Sequence, residues 1–193
     1  ACVATSTALQ VFYRDESQGV LLGAVKRSNK WSYELIDGDR KTDGRSTGDV
    51  AFHIKAYSSG ATTYLVYDSV LVVNQRKEAT SGEIRFATRD GFSADTWVYD
   101  TLDSPDNTAS VLGYDVSLSK NGAKLISGWY AATGSSLPNP SQIRTKTING
   151  EASTYTISKF GAPNGPLNIS GSTIITGCQK RLCALDTLTK KVS

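Results

Sequence analysis

An aromatic residue beside polar neighbours recurs at three places along this chain: Tyr13-Arg14-Asp15, Tyr67-Asp68 and Trp129-Tyr130. Aromatic rings stack on the apolar faces of sugars, and carboxylates accept hydrogen bonds from sugar hydroxyls. The pattern predicts a ligand site in which Tyr67 or Trp129 stacks and Asp15 or Asp68 accepts hydrogen bonds. The competing interpretation is that Tyr67 and Trp129 are simply core residues.

Catalytic chemistry is not indicated by the sequence. His53 is the only histidine, and its neighbours Val50–Ile54 resemble a strand with apolar residues on both sides, which favours a structural histidine. The chain has no G-x-S-x-G elbow, no P-loop and no dinucleotide fingerprint. We therefore predict no catalytic residue and no cofactor.

Three cysteines lie near the two ends of the chain: Cys2, Cys178 and Cys183. One short spacer, one distant cysteine and one histidine do not make a zinc site, so no metal is predicted. Cys178 and Cys183 could form a disulfide across a hairpin, or Cys2 could pair with one of them. Three reduced thiols are the remaining alternative.

A seven-residue pattern occurs twice, as Trp31–Asp37 and as Trp97–Asp103. Both copies read W-x-Y-[DE]-x-[IL]-D. Their neighbours repeat as well, and Gly turns are predicted at Ser59-Gly60 and Asn121-Gly122. The repeat predicts antiparallel four-stranded units at 48–103 and 113–160, with three strands from 7–37 and one or two from 167–187.

We therefore expect an all-β chain with about 12–14 strands and almost no helix. It forms a single domain, or a fragment of a larger one, with units at about 1–37, 48–103, 113–160 and 167–193. A chain that begins and ends within a unit predicts that another chain, or further sequence, completes the fold.

The repeated units resemble lectin-like and sialidase-like (BNR-type) β-propeller blades. The resemblance rests on Tyr67-Asp68 in a second strand, Arg85–Thr88 in a third and Trp97 in a fourth. It implies blades of a partial propeller, with a β-sandwich as the alternative fold. The segment Asp90–Trp97 keeps the Thr-Trp ending of the sialidase Asp-box and lacks its Ser, Asp and Gly positions.

A sialidase-type enzyme would also need an arginine cluster to hold a substrate carboxylate. Arg14, Arg85 and Arg144 come from different units, and the simplest interpretation places each on a solvent-facing strand position. Trp31 and Trp97 are interpreted as filling the space between neighbouring sheets.

Charge and hydropathy exclude two classes of partner. The chain has 193 residues with a net charge of +3, from 21 basic and 18 acidic residues that are scattered rather than clustered. A nucleic-acid binder would show a basic stripe, and a membrane span would need about 20 apolar residues.

The sequence favours a secreted or cell-surface binding module that recognises a glycan or a protein surface. The alternatives are a fragment of a sialidase-like glycoside-processing enzyme and a structural surface or virion protein.

Overall fold

The fold is all-β. The structure, a computed structural model, describes residues 1–38, 49–132, 142–150, 152–156, 166–178 and 181–186. These residues form antiparallel strands in four separate sheets, with one short 3-10 turn at Ala94–Thr96. The predicted fold class is therefore confirmed, and among the described residues no helix could span a membrane.

Each sheet is a meander of consecutive strands. Sheet 1 contains β1 (Cys2–Ala4), β2 (Leu9–Asp15), β3 (Val20–Arg27) and β4 (Lys30–Asp37). Sheet 2 contains β5 (Asp49–Ser59), β6 (Thr62–Val73), β7 (Ala79–Asp90) and β8 (Val98–Asp103). Sheet 3 contains β9 (Val111–Asn121), β10 (Lys124–Ala132), β11 (Gln142–Thr147) and β12 (Ala152–Thr156), and sheet 4 contains β13 (Asn168–Ser170), β14 (Thr173–Cys178) and β15 (Arg181–Asp186).

The described residues form more strands than the sequence predicted, because β1 and β13 are only three residues long. A three-residue strand is too short to show an alternating apolar pattern. The predicted tight turns are both present: Ser59 pairs with Thr62 and Asn121 pairs with Lys124. Gly60 and Gly122 each take a φ of 60°, which a glycine adopts without steric cost.

Three apolar cores lie between successive sheets. Phe12, Leu21 and Ile36 of sheet 1 pack against sheet 2, around Val50, Leu65 and Tyr67. A second core joins sheets 2 and 3 around Val66, Phe86 and Trp129, and a third joins sheets 3 and 4 around Tyr130, Ile143 and Leu167. The first strands of successive sheets contact one another, since β1 meets β5, β5 meets β9 and β9 meets β13. The four sheets are therefore stacked in chain order around these inner strands.

The repeated heptad acts at the junction of sheets 1 and 2. Trp97, first in the second copy, donates from Nε1 to the carboxylate of Glu34, fourth in the first copy, at 3.2 Å. The hydroxyl of Tyr99, third in the second copy, donates to the carbonyl of Ile36 at 2.8 Å. The repeat therefore encodes how one outer strand packs against the next.

The two tryptophans of the repeated pattern differ in burial, and the cysteines differ in what the structure describes. Trp97 is buried between sheets, as predicted, whereas the prediction for Trp31 is wrong because this ring is 42% exposed on the outer strand β4. The alternative in which Cys2 pairs with Cys178 or Cys183 is wrong, because Cys2 is an exposed free thiol. The side chain of Cys178 lies outside the described residues, so its pairing with Cys183 stays a prediction.

Candidate functional site

Two inner strands bulge near their first residues, and these bulges organise the candidate site. In β5 the pairing with β6 jumps from Val50 to Ile54. In β9 the pairing with β10 jumps from Gly113 to Val116. Ala51 and Tyr114 lie in these bulges with φ of 65° and 70°, a left-handed backbone conformation that residues other than glycine rarely adopt. Bulges of this kind re-aim side chains and concentrate near functional sites.

The bulge in β5 places His53 against Asp68, which lies on the facing strand β6. The His53 backbone N–H donates to Asp68 Oδ1 at 2.8 Å, and His53 Nδ1 lies 2.6 Å from Asp68 Oδ2. Burial of the ring lowers the pKa of His53, but the hydrogen bond that the ring donates to Asp68 and the charges of Asp68 and Asp115 outweigh it, so the pKa is raised. The pair is a fixed imidazole–carboxylate couple, with the imidazole partly open to solvent.

The bulge in β9 holds a second carboxylate, Asp115, at the same end of the sheets. Its Oδ1 accepts from the backbone N–H of Val116, and its Oδ2 accepts from that of Leu167 in the segment before β13, both at 2.8 Å. Asp115 therefore ties sheet 3 to sheet 4. Because both of its oxygens already accept hydrogen bonds from backbone N–H groups, we assign this carboxylate a structural role.

Phe52 and Tyr114 are the solvent-exposed aromatic residues of the two bulges. They are 46% and 42% exposed, in contrast to the buried apolar residues around them. The guanidinium carbon of Arg14 lies 4.0 Å from the centre of the Phe52 ring. One contact of Phe52 is therefore a cation–π interaction, while nearly half of the side chain remains open.

A cleft of about 660 Å³ is lined by both of these rings. Its lining also includes the His53–Asp68 couple and Asp49 at the start of β5. The remaining lining residues are mostly apolar, with one lysine and one glutamate: Val70, Val73, Ala79, Val111, Leu112, Lys77 and Glu78. This volume and this mixture of apolar walls with a few polar groups are typical of a small-ligand site.

A second cleft, of about 770 Å³, lies at the opposite ends of the strands, between sheets 2 and 3. Its walls include Tyr64, Phe86 and Tyr99, with Asp90 and Asp100. Asp90 accepts a hydrogen bond from Thr62 at 2.5 Å. Neither of the bulged segments of β5 and β9 lines this cleft, and its lining has no imidazole–carboxylate couple, so the first cleft is the candidate site.

Three of the six predicted ligand residues lie inside the protein. Tyr67, Trp129 and Tyr130 are 0%, 1% and 1% exposed. Tyr67 donates to Asp37 and Trp129 donates to Asp103, both at 2.8 Å, and the Tyr130 hydroxyl is hydrogen-bonded to Thr176. These rings offer no surface on which a sugar could stack, because the neighbouring sheet covers them. Tyr67 and Trp129 are core residues, as the competing interpretation stated.

The other three predicted residues lie nearer the surface. Asp68 lines the cleft, while Tyr13 is 39% exposed at the end of β2 and is not part of the lining. Asp15 accepts from the backbone and side chain of Ser17 and from Gln18, which lower its pKa. That any of the three contacts a ligand stays a prediction.

Sequence reasoning missed Phe52 and Tyr114, because a bulge reverses the side on which a strand residue lies. The detectable signal was Gly113 before Tyr114. This glycine has a φ of 121°, and a Cβ there would lie 2.8 Å from the Cβ of Asp68. Only glycine lets the third sheet approach Asp68 this closely.

Arg85 and Arg144 are buried, so their predicted solvent-facing positions are wrong. Arg85 pairs with Asp37 at 3.0 Å and with Glu83 at 2.6 Å, and its guanidinium side chain is 1% exposed. Arg144 pairs with Asp103 and Asp106, each at 3.0 Å. In both cases the arginine reaches the aspartate that ends the outer strand of the preceding sheet.

The aromatic residue opposite each arginine completes this junction. Tyr67 lies opposite Arg85 and Trp129 lies opposite Arg144 in the strand register. Each aromatic donates to the same aspartate as its arginine. We call this repeated aspartate, arginine and aromatic set the inter-sheet clasp. Within the described part of the chain no cluster of acids, histidines and cysteines could hold a metal ion.

The fold has counterparts among solved structures. It is similar to an α-L-arabinofuranosidase from Lactobacillus brevis, with a TM-score of 0.60, 6% identity, and coverage of 100% of this chain and 70% of that one. It is also similar to a sialidase from Trypanosoma rangeli, with a TM-score of 0.52, 11% identity, and coverage of 95% of this chain and 34% of that one. A fucose lectin from Kordia zhangzhouensis matches with a TM-score of 0.43, 18% identity, and coverage of 77% and 91%.

No protein-family model and no curated protein matches the sequence. Identities this low show a shared fold, which is that of β-propeller blades. The chain spans about a third of the sialidase, at 34% of its length. The nature of the ligand must therefore be argued from the cleft itself.

Proposed function

We propose that this chain is an extracellular glycan-binding module and that the glycan binds in the cleft between sheets 2 and 3. The observation that carries the proposal is the pair of exposed rings, Phe52 and Tyr114, which lie at the two bulges and line the same cleft as the His53–Asp68 couple. The extracellular setting is part of this proposal, and a disulfide between Cys178 and Cys183, one of the alternatives that the sequence leaves open, would support it.

The chemistry of the cleft suits a sugar. A pyranose presents apolar C–H faces, which stack on exposed aromatic rings, and hydroxyls at its rim, which need donors and acceptors. Asp49 and the imidazole of His53 supply polar groups to the lining of the cleft, and Val73 and Val111 supply apolar surface. A rigid strand framework holds these groups in place, which limits the ordering cost of binding.

Binding is favoured over hydrolysis by the state of the carboxylates. Glycoside hydrolysis by the usual route needs two carboxyl groups that face the scissile bond. Both oxygens of Asp68 accept hydrogen bonds within the bulge, and both oxygens of Asp115 accept backbone donors. These two acids are therefore committed to positioning the bulges. The other two carboxylates of the lining are also engaged, since Asp49 lies 3.6 Å from Arg14 and Glu78 accepts a hydrogen bond from Asn74. The arabinofuranosidase and the sialidase share the fold.

A glycan array with single substitutions tests the proposal. Phe52→Ala and Tyr114→Ala each remove one stacking ring, and we expect each to weaken binding about 10-fold or more, the equivalent of about 1.4 kcal/mol or more. Both residues are more than a third exposed, so the melting temperature should change little.

Leu182→Ala provides the control. Leu182 is 73% exposed on strand β15, outside the residues that line the cleft, and its truncation should leave glycan binding unchanged. Wild-type protein that binds no glycan, or binding that survives both cleft substitutions, would contradict the proposal. Release of a free sugar from a bound oligosaccharide would instead indicate the glycoside-processing alternative.

A further inference from the structure

Three arginines could in principle recognise a carboxylated sugar, because guanidinium groups pair with carboxylates in a bidentate geometry. Two of them are already neutralised within the fold. Arg85 faces the carboxylates of Asp37 and Glu83, and Arg144 faces those of Asp103 and Asp106. Neither side chain is more than 8% exposed, so neither can turn towards the cleft without leaving buried acids unpaired.

Arg14 is the third arginine, and it lies at the edge of the cleft. Its Nε donates to the carbonyl of Val50 at 3.1 Å, and its guanidinium covers the ring of Phe52. Its Nη2 lies 3.6 Å from Asp49 Oδ2, so a carboxylate of the cleft wall already balances its charge.

The charges that line the cleft also disfavour an acidic ligand. Three carboxylates belong to the lining, from Asp49, Asp68 and Glu78, against the ammonium of Lys77 and the imidazole of His53. The imidazole is engaged by Asp68, which leaves the ammonium of Lys77 against the carboxylates of Asp49 and Glu78 in the lining. A ligand carboxylate would therefore enter a cleft in which negative groups outnumber positive ones.

We infer that the cleft selects uncharged glycans and rejects sugars that carry a carboxylate, and that Asp49 enforces this choice by neutralising Arg14. The inference rests on the proposed function, because it names the ligand class of the same cleft. Selectivity by charge comes from repulsion of the wrong ligand as much as from favourable contacts with the right one.

The test compares matched glycan pairs that differ only in a terminal sialic acid, together with neutral and uronic-acid oligosaccharides of equal length. We expect wild-type protein to bind the neutral member of each pair about 10-fold more tightly or better. Asp49→Asn removes the charge that neutralises Arg14 and preserves the side-chain shape. We expect this variant to bind the sialylated member several-fold more tightly than wild type, with a gain that disappears in high salt.

Two further variants test whether the gain in binding sialylated glycans depends on Arg14 and is specific to Asp49. Adding Arg14→Gln to Asp49→Asn should abolish the gain, because the freed guanidinium is then lost. Asp95→Asn removes one exposed acid from the 3-10 turn, outside the cleft lining, and should leave the preference unchanged.

Each outcome has a separate meaning. A wild-type preference for sialylated or uronic-acid glycans overturns the inference and leaves the proposed function standing. An Asp49→Asn variant with unaltered preference and an unaltered melting temperature overturns the role of Asp49. Failure to bind any glycan of either charge ends the proposed function, and the inference with it.

Discussion

At the scale of single residues, the imidazole–carboxylate couple of His53 and Asp68 is the titratable feature of the cleft. Asp68 is almost fully buried, while the imidazole is 37% exposed and can exchange its proton with solvent. Asp115 adds a further negative charge nearby, and Lys55 opposes it. The protonated imidazole is thus stabilised in the folded protein relative to the unfolded chain.

The first prediction at this scale concerns pH. The pKa of His53 is raised in the folded state above its ordinary value of 6.5. Its stabilising contribution should therefore be complete below pH 6.5 and should be lost as the pH rises through the folded-state pKa. Urea unfolding of wild type and His53→Asn should show the largest difference in unfolding free energy at acidic pH, with the two curves converging at alkaline pH. A constant difference across this range would contradict the assignment.

At the scale of the element, the bulges decide what the cleft presents. A regular strand would alternate its residues strictly, whereas three residues of β5 and two of β9 depart from the pairing pattern. The strained φ values of Ala51 and Tyr114 persist because neighbouring sheets hold both segments. The close approach of Gly113 to Asp68 further restrains the bulge of β9.

Substitution of glycine measures this restraint directly. Gly113→Ala adds a Cβ that would lie 2.8 Å from the Cβ of Asp68, at a φ of 121°. Gly122→Ala adds one at a φ of 60° with no atom within 4 Å. We expect Gly122→Ala, in the turn, to lower the free energy of unfolding by about 1 kcal/mol, and Gly113→Ala, in the bulge, to lower it by about 2 kcal/mol or more. Denaturant titration compares them, and the NMR signals of the His53 ring should shift only in the bulge variant.

The strands were accessible from the sequence, and the bulges were not. Alternating apolar residues such as Ile84 and Phe86, and turn glycines such as Gly60, are local signals that predict strands and hairpins. The burial of Arg85 depends on Asp37, which belongs to another sheet. No local pattern reports such a partner, and the exposure of Phe52 and Tyr114 depends on register shifts that the sequence pattern does not show. Fold class was therefore predictable, while the lining of the cleft required the structure.

At the scale of the whole molecule, sheet 1 carries much of the exposed apolar surface. Tyr13, Trp31, Tyr33 and Leu35 are 39%, 42%, 72% and 37% exposed. The strand register places them on one face, since Tyr13 lies opposite Leu22 and Leu22 lies opposite Leu35. In sheets 2 and 3 the position of Tyr13 is occupied by Tyr67 and Trp129, which the preceding sheet covers.

The predicted participation of another chain can be tested at this face. We expect light scattering to show an assembly larger than the 20.7 kDa chain, because large exposed apolar patches mark interaction surfaces. Tyr33→Asp should shift the equilibrium towards the monomer by placing a charge in the patch. Thr80→Asp, a half-buried position on β7 of another sheet, serves as the comparison. A wild-type chain that stays monomeric at all concentrations would count against the prediction.

The inter-sheet clasp also determines how the molecule comes apart. In each clasp the aspartate belongs to one sheet, and the arginine and the aromatic residue belong to the next. Separating the two sheets therefore leaves these charged groups without their partners. Leaving one partner of a buried ion pair alone costs about 3–5 kcal/mol, which applies in full to Arg85 and Asp37 and only in part to Arg144 and Asp103, because Asp103 is 18% exposed. We therefore expect sheets 1, 2 and 3 to unfold as one cooperative unit rather than as independent modules. Amide hydrogens on both sides of each junction should then exchange with solvent at rates set by the same global opening.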